Sequence, residues 1–284
     1  MVKEKKKVAG LSVIAAIFLT TFKLIIGVFT GSLGILSEAL HSGLDLVAAV
    51  ITYFSVRISD KPADKNHHFG HGKIENLSAL VETILLVITC VWIVYEALNR
   101  LISGNTHIDI TVWSYLVVTI SIVVDVSRSR ALYKVARKYN SQALEADALH
   151  FSTDIWSSAV VLAGLVCANF GIYAADSVAA LGVAIIVLSV SYKLGKKAVY
   201  VLLDRSPSQV CSEIAELVQS VPEVLKFHDL KVRVAGAGTF VNITIHVDPE
   251  LNINEAHAIS HKLEDLITQQ IDCCEVQVHY EPEE

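Results

Sequence analysis

Two short stretches carry the residues best able to do chemistry. "SEALHSGLD" (37–45) holds His41 and Asp45, and "EADALHFSTD" (145–154) holds His150 and Asp154. Each is a His-x-x-x-Asp pair, and a spacing of four puts both side chains on one face of a helix. Together the pairs offer two imidazoles and two carboxylates. Four N/O ligands on converging helices suit a tetrahedral borderline cation, Zn2+ above all. Ca2+ or Mg2+ would require more oxygens. A hydrogen bond within each helix is the plainer alternative for one pair, but two matching pairs favour a metal.

The setting sharpens the point. The chain has 284 residues, of which 53% are hydrophobic and 18% charged, and its mean hydropathy is +0.51. That is too apolar for an ordinary soluble domain. Six runs approach the roughly 20 apolar residues needed to cross a bilayer. They lie at about 8–30, 33–56, 77–101, 108–126, 143–170 and 173–203. Both His/Asp pairs fall inside runs, where ionisable groups are costly and face the protein interior.

After Asp204 no spanning run remains, so a membrane domain (1–205) and a soluble tail (206–284) are expected. From Pro207 onward the tail has 4 Lys+Arg against 14 Asp+Glu, a net of −10, leaving +4 for the rest. Such an acidic tail argues against nucleic-acid binding. The basic start "MVKEKKK" and the basic loops 57–73, 128–138 and 193–205 alternate with loops poor in Lys and Arg. By the positive-inside rule both termini are cytoplasmic. The first run is too long for a secretory signal and is followed by further spans.

Other ionisable groups in or near the runs are Glu38, Glu82, Glu96, Asp125, Glu145 and Asp147. Most sit near helix ends or polar neighbours and are expected to be interfacial or bonded. Asp125 either joins a proton path or pairs with Arg128, the pairing being the simpler reading. Cys90 and Cys167 lie in apolar helices, and Cys211, Cys273 and Cys274 lie in the tail, so no disulfide framework is expected. Cys273 and Cys274 either bind a soft metal or are small buried side chains at a strand start.

Between the second and third runs, "KPADKNHHFGHGKIE" places Asp64, His67 and His71 at spacings of three and four, enough for a small metal site. A solvated His-rich loop is the alternative reading. The tail reads as helix (208–221), strands "FHDLKVRVAG" and "TFVNITIHVD", an amphipathic helix from about Asn254 as N-cap, and strand "CEVQVHYEP". That order gives a small ferredoxin-like sandwich. Its histidines, His228, His246, His257, His261 and His279, include several able to converge with Glu281 at one edge.

There is no P-loop sequence for ATP and no His-Glu-x-x-His of a zinc protease. A membrane metal site without a motif for an energy-yielding reaction points to a secondary transporter, not an enzyme. Metal ligands must lose protons to bind, and histidine titrates near neutral pH, so protons and metal compete for one site. That competition is the basis of a metal/proton antiporter.

As a set, "SEALHSGLD", "PADKNHHFGHGKIE", "EADALHFSTD" and "LLDRSP" resemble the cation diffusion facilitator family, in particular its YiiP-like zinc/iron efflux members, over nearly the whole chain. The resemblance implies a polytopic α-helical membrane protein with six transmembrane helices and a C-terminal α+β ferredoxin-like cytoplasmic domain. It implies a homodimer in the lipid bilayer of the inner (plasma) membrane, exchanging divalent metal, most readily Zn2+, for protons. Zn2+ would be both the transported substrate and a regulatory or structural ligand. The implied transport site is His41, Asp45, His150 and Asp154, and the loop site is Asp64, His67 and His71. The cytoplasmic sites would use His228, His246, His257, His279 and Glu281. Lys73 and Asp204 match an inter-subunit charge pair.

Two positions depart from the pattern. Glu281, after Tyr280, stands where YiiP-like members usually have Asp. His41 stands where some members have Asp or Asn, which favours zinc over the harder Mn2+. An exporter of Fe2+, Mn2+ or Cd2+ on the same scaffold, or a non-transporting metal-binding scaffold subunit, are the competing readings.

Overall fold

The computed structural model describes residues 2–31, 33–103, 112–169, 174–271 and 273–283. The chain divides into two compact units, 1–198 and 199–284. Six long helices come first: α1 (Val2–Thr30), α2 (Leu33–Ser59), α3 (Lys73–Ser103), α4 (Val112–Tyr139), α5 (Gln142–Asn169) and α6 (Ala174–Leu202). The expected loops at "SGNTHID" and "NFGIYAAD", and the expected start of the fourth run at 108, lie wholly or partly outside the described residues.

Helix ends differ from the apolar runs. α1 begins in the basic leader, and α4 continues past residue 126 to Tyr139. Backbone hydrogen bonding does not need an apolar surface once the helix leaves the bilayer, so hydropathy marks the crossing and not the helix. What stops α4 is Asn140, which turns to a positive φ of 50°, a conformation that ends helices. Ser141 N–H then donates to the Ala136 carbonyl at 3.0 Å, and α5 starts one residue later. This tight connection makes α4 and α5 an antiparallel hairpin.

The first unit is packed through small residues. Ala9, Ala16, Ala49, Ala136, Ala143 and Ala148 are buried with Val56, Leu132, Leu144 and Phe151. Small side chains let helix backbones approach closely where lipid removes the hydrophobic drive between helices. Large apolar residues point outward instead, among them Phe18, Ile25, Phe29, Trp92 and Ile186. Polar residues point inward: Lys5, Lys23, Asp45, Glu75, Glu82, Asp125, Arg128, Asp147 and His150 are all buried. That inversion is what a bilayer imposes. Among the described residues Lys3–Thr30, Glu38–Ser59 and Lys73–Asn99 are long and apolar enough to cross a membrane.

The second unit contains α7 (Ser208–Gln219), β1 (Lys226–Ala235), β2 (Gly238–Val247), α8 (Ile253–Gln270) and β3 (Cys274–Pro282). The sheet order is β1-β2-β3, with β1/β2 antiparallel and β2/β3 parallel. Gly236, at φ 60°, turns the hairpin. Val241, Ile243, Ile245 and Val247 alternate into a core with Ile214 and Val218 of α7 and Ile259, Leu263 and Ile267 of α8. Period-two alternation therefore leaves Thr244, His246, His279 and Glu281 on the helix-free face.

One expectation is corrected here. The N-cap of α8 is Asn252, not Asn254. Its side chain accepts from the Asn254 and Glu255 N–H groups, and Glu255 accepts from the Asn252 N–H at 2.9 Å. The Asn-x-x-Glu spacing forms a capping box that a cap at Asn254 cannot form.

Candidate metal sites

α2 and α5 pack against each other, and this brings the two His/Asp pairs together. His150 Nε2 lies 3.1 Å from Asp45 Oδ1 and 3.7 Å from Asp154 Oδ2. His41 Nε2 lies 3.7 Å from Asp154 Oδ1 and 3.9 Å from Asp45 Oδ1. Imidazole and carboxylate thus alternate around a closed ring. A tetrahedral cation held at about 2.0 Å by each ligand would set neighbouring ligand atoms about 3.3 Å apart. The observed contacts run from 3.1 to 3.9 Å and reach Asp154 through different oxygens, so the side chains must draw together before one cation meets all four. His41, Asp45 and Asp154 each present a ligand atom within 4.8 Å of the others, and His150 touches both carboxylates. His150 Nδ1 is buried without a hydrogen-bond partner among the described residues.

Sequence reasoning named Arg128 but missed two other buried cations of this unit, Lys23 and Lys5. Lys23 is the one charged residue in the first apolar run. It is buried, and its Nζ donates to Glu38 at 3.1 Å and to Ser42 Oγ at 2.8 Å, beside His41. Arg128 stacks 3.5 Å over the Phe151 ring, donates to Ser12 Oγ at 3.1 Å and pairs with Asp125 at 3.3 Å. The simpler reading of Asp125 is therefore the one the geometry matches. Lys5 bridges Asp60 and Glu75, at 2.8 Å each, and Glu75 also accepts from Ser59 and Ser141. A charged residue inside an apolar run is the only sequence signal for Lys23; its partners become visible only in the fold.

The remaining acids are bonded, as expected. Glu82 accepts from Thr52 and from Ser78, Asp147 accepts from Ser12, and Glu145 pairs with Lys197 at 2.6 Å. Glu96 has a partner as well.

The loop residues also converge. Asp64 Oδ1 stands 3.1 Å from His67 Nδ1, and Asp64 Oδ2 stands 3.4 Å from His71 Nε2. Asp64 Oδ1 accepts the Asn66 and His67 backbone N–H groups at 2.8 Å each. These bonds hold its carboxyl down to about 2. A charged acceptor is therefore fixed in place before any cation arrives. Gly70, at φ 73°, closes the turn. His68 points away, toward the Lys65 carbonyl.

In the tail, His228 Nε2 and His246 Nε2 lie 3.6 and 4.0 Å from Glu281 Oε2, and His279 Nε2 lies 3.3 Å from Glu281 Oε1. His246 Nδ1 also meets Glu283 at 3.0 Å. His228, His246 and Glu281 each present a ligand atom within one 4.8 Å cluster. A bulge between His228 and Lys231, with Asp229 at φ 54°, accompanies the placement of His228 in this row. His257 does not join the cluster within one chain; its Nε2 faces His261 Nε2 at 3.1 Å on α8. Cys274 packs on the core at the start of β3, whereas Cys273 is exposed, at φ 53°, which corrects the expectation that both are buried. Cys90 is buried in α3, and the side chain of Cys167 lies outside the described residues. Lys73 opens α3, and Asp204 follows α6 at φ 54°.

Comparison with known proteins agrees with this reading at the level of family. The model for the cation efflux transmembrane domain matches residues 10–203, and that for the cation efflux protein cytoplasmic domain matches 207–283. The cation-efflux pump FieF of Yersinia enterocolitica is 32% identical over 283 residues, covering 97% of this chain and 92% of that protein. FieF of Escherichia coli is 33% identical over 276 residues, covering 95% and 91%. A nickel form of the MamM CTD aligns with 28% of this chain and all of its own, at 29% identity and a TM-score of 0.27. The chain belongs to the cation diffusion facilitator family of cation-efflux transporters. It is a membrane protein with a helical transmembrane domain and a C-terminal cytoplasmic domain of helices and a three-stranded sheet.

Proposed function

We propose that this protein exports divalent metal, with Zn2+ as its principal substrate, from the cytoplasm in exchange for protons. The observation that carries the reading is the alternating ring of His41, Asp45, His150 and Asp154, closed at 3.1–3.9 Å between α2 and α5. Two imidazoles and two carboxylates match the borderline character and tetrahedral preference of Zn2+. The same groups are proton acceptors, so loading with metal expels protons and loading with protons expels metal. A site exposed alternately to each side then couples the two gradients.

In this reading the chain crosses the inner membrane six times with residues 1–205, keeps both termini in the cytoplasm and works as a homodimer. Asp64, His67 and His71 form a cytoplasmic loop site. The strand cluster of His228, His246, His279 and Glu281 takes a regulatory metal in the domain from 206 to 284.

The test is metal flux into proteoliposomes with and without an imposed pH gradient. Zn2+ uptake that responds to the gradient and disappears in His41→Ala is expected. Flux indifferent to pH would overturn the proton coupling, and full flux in His41→Ala would overturn the site. An absence of flux for any of Zn2+, Fe2+, Mn2+ and Cd2+ would leave the scaffold reading in its place.

A further inference from the structure

We propose that the groove between α1 and α2 bordered by Lys6 and Lys7 holds one anionic phospholipid, its phosphate at the lysines and an acyl chain along the apolar wall beyond them. The groove has a volume of about 410 Å³ and runs past Gly10 to Leu11, Val13 and Ile14 of α1, with Tyr53 of α2 facing them. That volume is within the range of roughly 300–1,000 Å³ usual for small-ligand sites. Val13 and Tyr53 pack on the buried core of the unit, whereas Leu11 and Ile14 are exposed. The groove is therefore open on its outer side, where the bilayer lies.

The charge at its mouth is uncommitted. Lys5, Lys23, Arg128, Lys138 and Lys197 are each held by a carboxylate. Lys6 and Lys7 make no side-chain hydrogen bond or ion pair among the described residues, and the Tyr53 hydroxyl makes none either. Glu4, the acid beside them in the leader, is already taken by Lys138 and Tyr139. Arg57 lies one turn beyond Tyr53 on α2, is exposed and has no ion pair among the described residues. Positive charge without a protein partner at the end of a spanning helix attracts the anionic headgroups of the adjacent leaflet. In the proposed orientation this is the cytoplasmic leaflet.

The groove is ordered as a lipid is ordered. Lys6 and Ile14 are eight residues apart, or about 12 Å along the helix axis, with charge at one end and branched apolar side chains at the other. Lysine stems lie on apolar surface while their ammonium groups reach the polar boundary, and a tyrosine ring with a free hydroxyl suits the same boundary. Gly10 keeps the space open: a Cβ added there would stand 3.6 Å from the Tyr53 ring, and any longer side chain would fill the groove. A zwitterionic headgroup brings an ammonium that the lysines repel. Free phosphate has the right charge but leaves the apolar wall uncovered, so the lipid is the better occupant.

Native mass spectrometry of the full-length protein, released from nanodiscs of phosphatidylglycerol and phosphatidylethanolamine in equal parts, tests the site. One phosphatidylglycerol retained per protomer, in preference to phosphatidylethanolamine, is expected. A lysine near the membrane surface changes affinity about 5-fold, so Lys6→Gln combined with Lys7→Gln lowers it about 30-fold and removes the preference. Gly10→Leu keeps the charge, fills the groove and removes the retained lipid; should that variant lose its fold, the double lysine variant decides alone. Lys3→Gln, at an exposed position of the same leader outside the groove, changes nothing. Equal retention of the two lipids by the wild type would overturn the proposal, as would undiminished phosphatidylglycerol in the double lysine variant. Loss of self-association in Gly10→Leu with its lipid count unchanged would also overturn it, since the groove would then be an interface between copies of the chain. The lipid count does not depend on metal flux, so failure of this site is distinguishable from failure of the transport reading.

Discussion

Asp45→Asn is the sharpest probe of the transport ring. The Asp45 Oδ1 atom meets both imidazoles, at 3.1 Å for His150 and 3.9 Å for His41. The amide preserves the shape of the side chain and an oxygen in the same place, so what is lost is charge. Binding of Zn2+ by four protein ligands releases about 10–16 kcal/mol, or about 2.5–4 kcal/mol per ligand. A neutral amide oxygen keeps part of that, and the net loss is about 2–3 kcal/mol. That converts to roughly a 30- to 150-fold rise in the Zn2+ concentration for half-maximal flux. The assay is initial-rate uptake into proteoliposomes at fixed pH gradient over a range of Zn2+. His150→Gln, which removes the ligand facing both carboxylates, falls in the same range or beyond it. His68→Ala, whose ring points at a carbonyl outside the loop cluster, leaves the curve unchanged. A half-maximal concentration for Asp45→Asn within threefold of wild type would refute the argument that the ring carries the cargo.

Other perturbations follow from the same coordinates. Lys5→Met leaves Asp60 and Glu75 without their shared cation and costs about 3–5 kcal/mol; a lowered thermal midpoint in detergent is expected, partly recovered by adding Glu75→Gln. Asp64 is held below its ordinary value of 3.8, at about 2, so the order it gives the loop is full above pH about 4 and is lost as pH falls through about 2. Faster amide exchange at Asn66 and His67 over that window is the readout, and Asp64→Asn abolishes the pH dependence. Asn252→Ala removes the capping box of α8 at a cost of about 1 kcal/mol; exchange at Asn254 and Glu255 speeds up if the cap matters and stays unchanged if it does not.

What the sequence revealed was what is local. The His/Asp pairs are legible because four residues are about one helical turn, and the tail strands are legible because alternation is a property of neighbours. His246, His279 and Glu281 share a face for that reason alone. His228 does not follow from alternation, because the bulge at Asp229 breaks the register between them. Asn252 is legible in principle through Glu255, whose spacing of three completes a capping box that Asn254 lacks. His257 shows the same bias toward the local: its partner is one turn away on α8, not on the strands. Lys5 and Lys23 are the opposite case. Lys5 meets Glu75 across 70 positions, and Lys23 meets Glu38 across 15. Only packing of different helices creates those pairs, and no periodicity announces them.

Those hidden cations bear on why the ring, and not some other acid, is the proposed place for cargo. Glu38 meets Lys23, Asp125 meets Arg128, and Asp60 and Glu75 share Lys5. Glu82 and Asp147 meet hydroxyls. Lys and Arg keep their positive charge across the physiological range, so the acids they hold have little charge left for a divalent ion. Asp45 and Asp154 are paired with imidazoles instead. An imidazole, unlike Lys or Arg, is a partner that can give up its proton and then turn a lone pair to the same ion the carboxylate attracts. Negative charge becomes available at the ring when the histidines deprotonate, and it is masked when they do not. In the proposed mechanism, fixed cations neutralise Glu38, Asp60, Glu75 and Asp125 and hydroxyls hold Glu82 and Asp147, which leaves Asp45 and Asp154 as the carboxylates whose charge the imidazoles govern.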